Sequence, residues 1–131
     1  MEWFSLLWLI VLLGDNLLPF LLAAFYPDYH HTQMVLSVLG CRLSPVKRIY
    51  NGWCILSGAV FCTAGYAVAL AFPTSWGIAA GILMILYGLG CEIISGLFPL
   101  SSQAKDNSLS TIIHGIGSAL GFTCLAYCYS T

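Results

Sequence analysis

The pattern of hydrophobic and polar positions divides the chain into four long apolar runs. Each run contains 22 to 24 residues, and the four extend over Trp3–Tyr26, Asn51–Phe72, Gly77–Phe98 and Ser108–Tyr129. A helix needs about 20 residues to cross the hydrocarbon core of a bilayer. The pattern therefore predicts an all-α membrane protein with four transmembrane helices in a compact bundle, and residues 1–131 as a single transmembrane domain.

Three polar or turn-forming connections separate the runs, and only the first of them is long. The first, residues 27–50, holds 24 residues, whereas the second and third are the short pieces "PTSW" and "PLSSQAKDN". In the first connection the stretch "HTQMVLSVLG" places four apolar side chains on one helical face: Met34, Val35, Val38 and Leu39. This face predicts a short helix that lies in the membrane interface.

The composition agrees with a lipid environment. Of the 131 residues, 60% are hydrophobic and 7% are charged, whereas soluble domains carry roughly 25% charged residues. The net charge is -1, and the sequence has no basic cluster of the kind that binds nucleic acid. We therefore expect membrane lipids, or a larger membrane protein or complex, as partners, and no nucleic acid.

The positions of Lys and Arg predict the orientation. All of them lie in the first and third connections, as Arg42, Lys47, Arg48 and Lys105. Cytoplasmic loops of membrane proteins carry an excess of these residues. Connections 27–50 and 99–107 are therefore predicted to be cytoplasmic, with both termini outside. Arg42, Lys47 and Arg48 are also candidates for binding lipid headgroups.

Polar and ionisable side chains within the apolar runs are candidates for a ligand or proton site, because such groups are expensive inside a bilayer. The candidates are Asp15, Asn16, Glu92 and His114. Glu92 and His114 are equidistant from Gln103, the midpoint of the hairpin between helices three and four. Their equal depth predicts a hydrogen-bonded pair. The alternative interpretation is structural, with polar contacts that only fix the register of the helices.

Helix one contributes a deeper polar site in the stretch "LLGDNLLPF". Pro19 has no N–H to give to the carbonyl of Asp15, four residues earlier. Together with Gly14, it predicts a kink or local unwinding that lines a cavity. Asp15 would then join a buried polar cluster of Asp15, Glu92 and His114.

Small residues predict which helix faces pack together. "GIAAG" places Gly77 and Gly81 one turn apart, and "GSALG" does the same for Gly117 and Gly121. Such pairs let helix backbones approach closely in lipid. Glu92 and His114 fall on the continuations of these stripes, so they are expected to face the protein.

The sequence predicts neither a metal site nor a cofactor. His30 and His31 are adjacent in a loop, which suits coordination from one face poorly, and a bis-histidine haem would need a second intramembrane His. The six cysteines show no C-x-x-C spacing. The closest pair, Cys124 and Cys128, is interpreted as packing residues.

Several short motifs carry a resemblance over nearly the whole chain. They are Pro27-x-Tyr29, Ser37-x-Leu39-Gly40, Pro45, Asn51, Gly58, Phe98-Pro99 and His114. With these motifs the chain resembles the bacterial membrane family labelled domain of unknown function 998, which implies a location in the bacterial plasma membrane. Val38 and Leu100 stand where the family has acidic residues, so an activity carried by those acids would be absent here. The family usually has more helices than four, which implies a short relative or an incomplete chain.

Three classes of function remain open. The leading prediction is an accessory subunit or a binding protein for a lipid or another membrane protein. The first alternative is a small proton-linked transporter that uses Asp15, Glu92 and His114. The second is an intramembrane enzyme acting on lipid or quinone, with Ser110 or Ser118, each one turn from His114, as nucleophile. No catalytic residue is assigned, and the residues favour a protein that is not an enzyme.

Overall fold

The structure is a computed structural model that describes residues 2–101 and 108–130. All regular secondary structure within these residues is helical. Its long helices are α1 Glu2–Ala23, α2 Lys47–Ala71, α3 Ser75–Leu97 and α4 Leu109–Ser130, and a 3₁₀ helix, Leu36–Gly40, lies in the first connection. Helices α1 to α3 are each long and apolar enough to cross a membrane, and in α4 the stretch Leu109–Cys124 is apolar. The predicted fold class is confirmed.

The helix boundaries depart from the apolar runs at two places. Helix α1 ends at Ala23, ahead of Pro27, which disfavours helix in the residue before it. Helix α2 begins at Lys47, one turn before the predicted start, because a charged residue ends an apolar run without ending a helix. The interfacial helix expected over "HTQMVLSVLG" is reduced to the five-residue 3₁₀ helix, in which Leu39 is buried.

Close glycine contacts hold α2, α3 and α4 together. Gly58 of α2 faces Gly88 of α3, and Gly90 of α3 faces Gly117 of α4, so that a Cβ added to Gly88 or Gly90 would lie 2.7 Å from the opposing carbonyl oxygen. Real Cβ atoms do not approach that closely, so these positions require glycine. Among the predicted small residues, Gly81 and Gly121 also pack against neighbouring helices, while Gly77 lies against Phe72 in the turn between α2 and α3.

Helix α3 is not α-helical throughout. From Gly88 to Ile94 its backbone is π-helical, and the α-helix resumes at Ser95. The sequence pattern did not predict this segment. A π-helical turn holds more residues than an α-turn and is frequent at functional sites. It carries Glu92 and the two glycines that touch α2 and α4.

The first connection folds back onto the bundle around a small apolar cluster. The cluster is formed by Leu22, Tyr29, Leu39 and Val46, all of them buried. Burial raises the pKa of Tyr29 above its ordinary value, so its hydroxyl stays neutral. The amide of Asn51, on α2, donates to the carbonyl of Gly40 at 3.1 Å and ties the 3₁₀ helix to the bundle.

The first and third connections meet at the same end of the bundle. The backbone N–H of Arg42 donates to the carbonyl of Leu100 at 3.2 Å. The two basic connections therefore share one side, as an up-and-down arrangement of four helices requires.

Helix α1 is peripheral. It packs on α2 and on the 3₁₀ helix, and the part of the chain described here has no comparable contact between α1 and α4. Its outward apolar side chains, among them Leu9, Leu13 and Phe20, are more than half exposed. Helices α2, α3 and α4 therefore pack in sequence, α2 on α3 and α3 on α4, and a gap remains between α1 and α4.

Candidate functional site

A cavity of about 620 Å³ occupies the space that α1 and α4 leave open. It extends from His31 and Leu36 of the first connection to Phe122 on α4. Asp15, Glu92 and His114 all line it. The structure thus brings three of the four predicted site residues to one cavity, although their contacts differ from those expected.

Asp15 is held by two donors from α2. The indole Nε1 of Trp53 donates to Oδ1 at 2.7 Å, and the hydroxyl of Ser57 donates to Oδ2 at 2.9 Å. Trp53 and Ser57 are one helical turn apart and therefore lie on the same face of α2. Gly14 makes room for the indole, because a Cβ there would overlap the Trp53 ring. Each oxygen of the Asp15 carboxyl group thus already has a protein partner.

Asn16 does not belong to the cavity. Its side chain is exposed and donates to the carbonyl of Leu12 at 2.8 Å, within its own helix. The local unwinding expected near Pro19 is also wrong, since α1 is assigned as helix through this residue. Pro19 is buried and lines the cavity.

Glu92 lies in the π-helical segment and points into the cavity. The Tyr87 hydroxyl donates to its Oε1 at 3.2 Å, and Cys54 of α2 lines the same cavity. The predicted pair with His114 is wrong, because neither side chain uses the other as its partner. Equal depth predicted that pair for two regular α-helices. One extra residue in a helical turn rotates the following side chains by about 100°.

His114 closes the end of α3 instead. Its Nδ1 lies 3.0 Å from the carbonyl oxygen of Phe98, and the side chain is only 6% exposed. A carbonyl oxygen accepts and does not donate, so Nδ1 carries the hydrogen, and in an uncharged ring Nε2 is then the acceptor. Ser110 donates to the carbonyl of Pro99 at 2.8 Å. Two residues of α4 thus satisfy carbonyls left without partners where α3 ends.

The two serines near His114 are both engaged elsewhere. Ser110 bonds to Pro99, and the Ser118 hydroxyl lies 3.2 Å from that of Ser95. Neither forms a hydrogen bond with the imidazole in the described part of the chain. The serine–histidine arrangement considered for an intramembrane enzyme is therefore not formed.

The basic residues of the first connection lie away from the cavity lining. Arg42 and Arg48 are exposed, and Lys47 donates from Nζ to the carbonyl of Arg42 at 2.6 Å. Their role toward lipid headgroups stays a prediction. Lys105, the remaining basic residue, falls outside the described residues.

The histidines of the first connection differ in their surroundings. The ring of His31 lies 4.4 Å from that of Phe20 and 4.9 Å from that of Tyr29, between centroids, and lines the cavity. His30 is exposed. Over the residues with described side chains, no group of three His, Cys, Asp or Glu side chains lies close enough to hold a metal ion. The side chain of Cys128, and with it the Cys124–Cys128 pair, lies outside the described residues.

Sequence reasoning missed the residues that donate to the carboxyl groups: Trp53, Ser57 and Tyr87. The i, i+4 spacing of Trp53 and Ser57 was available as a signal, since it places two donors on one face opposite a helix that carries a buried acid. No sequence pattern predicted the role of Tyr87, whose hydrogen bond to Glu92 spans the π-helical backbone.

Comparison with known proteins identifies one family. A family model described as protein of unknown function, DUF998, matches residues 6–129. No curated protein and no solved structure matches the chain. Among the motif residues, Asn51 is hydrogen-bonded to Gly40, and His114 is hydrogen-bonded to Phe98. These motif residues therefore form contacts at the end of the bundle where the first and third connections meet.

Proposed function

We propose, from the premise that the chain belongs to the DUF998 family of proteins of unknown function, that it is an integral membrane protein that binds a membrane amphiphile between α1 and α4. In this role it acts as a binding or accessory protein. Arg42, Lys47 and Arg48 would contact lipid phosphates on the cytoplasmic side, with both termini outside.

The observation that carries this proposal is the cavity and its position. Small-molecule sites usually have volumes of about 300–1,000 Å³ and combine apolar walls with a few polar groups. This cavity has about 620 Å³ and contains Asp15, Glu92 and His114. Its wall also includes Phe122, which is 61% exposed on the outer surface of the bundle. A lipid chain could therefore enter from the bilayer while its polar group reaches the buried side chains.

Lipid analysis of the purified protein tests the proposal. The protein is extracted in mild detergent, and its bound lipids are identified by mass spectrometry, both for the wild type and for Ser118→Phe, which fills the cavity. Ala119→Phe, on the exposed side of the same helix, is the matched control. We expect a specific lipid in the wild type and in the control, and its loss from Ser118→Phe.

Equal lipid content in all three proteins would contradict binding in the cavity. Co-purification of a larger membrane protein that is lost with Ser118→Phe would make the cavity a protein-docking site instead. Both outcomes are read from the same preparation.

A proton-linked carrier is the second candidate, and one observation favours it: two carboxyl groups, Asp15 and Glu92, line the same cavity. A carrier would show uptake that depends on a pH gradient in reconstituted vesicles. Glu92→Gln should abolish that dependence. Lipid binding without transport would leave the binding protein as the function.

A further inference from the structure

The geometry points to a preference within the proposed ligand class. We propose that the cavity selects amphiphiles whose polar group donates hydrogen bonds and carries no negative charge, a hydroxyl or an ammonium group, and that His114 and Glu92 accept from it. The inference rests on the proposed function, because it names the chemistry of the ligand bound at the same site.

His114 presents an acceptor to the cavity. Its Nδ1–H is committed to the carbonyl of Phe98, which fixes the tautomer and leaves the Nε2 lone pair without a partner among the hydrogen bonds of the described residues. The ring is buried and lines the cavity. A ligand hydroxyl or ammonium group placed there would donate to this nitrogen and give it the partner that it lacks.

Glu92 has accepting capacity left over. Its carboxyl group receives the Tyr87 hydroxyl at Oε1, and a carboxyl group has accepting capacity for more than one donor. Asp15 differs, because both of its oxygens already receive strong donors from α2. Glu92 is therefore the carboxyl group that a ligand can use.

The charges around the cavity select against anions. Two carboxyl groups line it, and its lining includes no Lys or Arg among the described residues. The cations of the first connection are exposed or, for Lys47, bonded to a backbone carbonyl. A phosphate or carboxylate head would enter without a cationic partner, and a buried charge that lacks a partner is unfavourable. The site thus rejects anions as well as attracting donors.

Three photoreactive probes with one common chain test the preference. Oleyl alcohol, oleylamine and oleyl phosphate, each with the same diazirine in the chain, are added to the protein in lipid nanodiscs, and cross-linked peptides are counted. We expect the alcohol and the amine to label the cavity-lining part of α4 at least about tenfold more than the phosphate does, since one hydrogen bond gained or lost is worth about that factor.

Two variants show whether the named residues cause the preference. Glu92→Gln keeps the shape of the side chain but replaces one carboxyl oxygen by an NH₂ group, which donates and carries no negative charge. It should therefore reduce labelling by the amine more than labelling by the alcohol. Asn16→Gln, an exposed position on α1, should change nothing. His114→Gln provides a second acceptor test that does not depend on Glu92.

The outcomes separate the two proposals. Equal labelling by all three probes, or stronger labelling by the phosphate, would overturn the donor preference while lipid binding stands. Cavity labelling by none of the probes would overturn the proposed function, and the preference with it. An unchanged alcohol-to-phosphate ratio in both Glu92→Gln and His114→Gln would show that other residues select the ligand.

Discussion

Asp15 of α1 and Trp53 of α2 are joined by a hydrogen bond of 2.7 Å from the indole nitrogen to the carboxyl group. It crosses the interface on which α1 depends, because α1 has little contact with the rest of the bundle. With Ser57 as the second donor, this small network is a polar attachment of α1 to α2.

Replacing Asp15 should therefore weaken the attachment of α1. Asp15→Leu leaves the Trp53 and Ser57 donors without an acceptor, at a cost of about 1–3 kcal/mol. Asp15→Asn should be milder, because its carbonyl oxygen still accepts one bond. Thermal aggregation in detergent measures the difference. Asn16→Leu, at the exposed neighbouring position, is the control, and a loss there as large as that of Asp15→Leu would contradict the assignment.

Two glycines of α4 provide a matched pair for testing helix packing. In Gly117→Ala the new Cβ would lie 2.7 Å from the carbonyl of Gly90, whereas a Cβ on Gly115 meets nothing within 4 Å. We expect Gly117→Ala to lower the melting temperature. Gly115→Ala should leave it unchanged or raise it, because alanine favours helix by about 1 kcal/mol. The opposite ranking would show that α3 and α4 do not pack through Gly117.

Glu92 and His114 should behave as independent sites. Because each has its own partner, the double variant Glu92→Leu/His114→Met should be less stable than either single variant, with no recovery of the stability that either change costs. Unfolding of the single and double variants in detergent gives the coupling energy. Recovery of stability in the double variant would instead support a direct pair.

The orientation can be tested by labelling from outside. In a variant whose native cysteines are replaced, Trp76→Cys and Arg42→Cys offer two exposed positions at opposite ends of the bundle. The excess of Lys and Arg in the first and third connections predicts that Arg42 faces the cytoplasm. A reagent that cannot cross the membrane should label position 76 and not position 42. The reverse result would refute the orientation.

Much of the fold followed from the sequence because lipid imposes simple rules. Apolar length predicted the helices, and the small residues Gly81, Gly117 and Gly121 do lie on contact faces. The same reasoning placed Asp15, Glu92 and His114 on the protein side. These rules depend only on the regular period of an α-helix and on the cost of exposing polar groups to hydrocarbon.

The detailed contacts did not follow, for an equally physical reason. The Glu92–His114 pair required a regular helix, but the segment Gly88–Ile94, which contacts both neighbouring helices, is π-helical. His114 then finds a better partner in the Phe98 carbonyl, which the end of α3 leaves free. Asn16 follows Asp15 directly in the sequence, but adjacent residues of a helix point in different directions. The Asn16 side chain therefore donates to a carbonyl within α1 and does not reach the cavity.

The loose attachment of α1 has a mechanical consequence. Helices α2, α3 and α4 interlock through close backbone contacts at glycines, whereas α1 packs on α2 and on the 3₁₀ helix through side chains, with Asp15 bonded to two donors of α2. If the N-terminus were pulled out of a bilayer, we expect α1 to leave in a separate step at lower force. The other three helices would then resist as a unit.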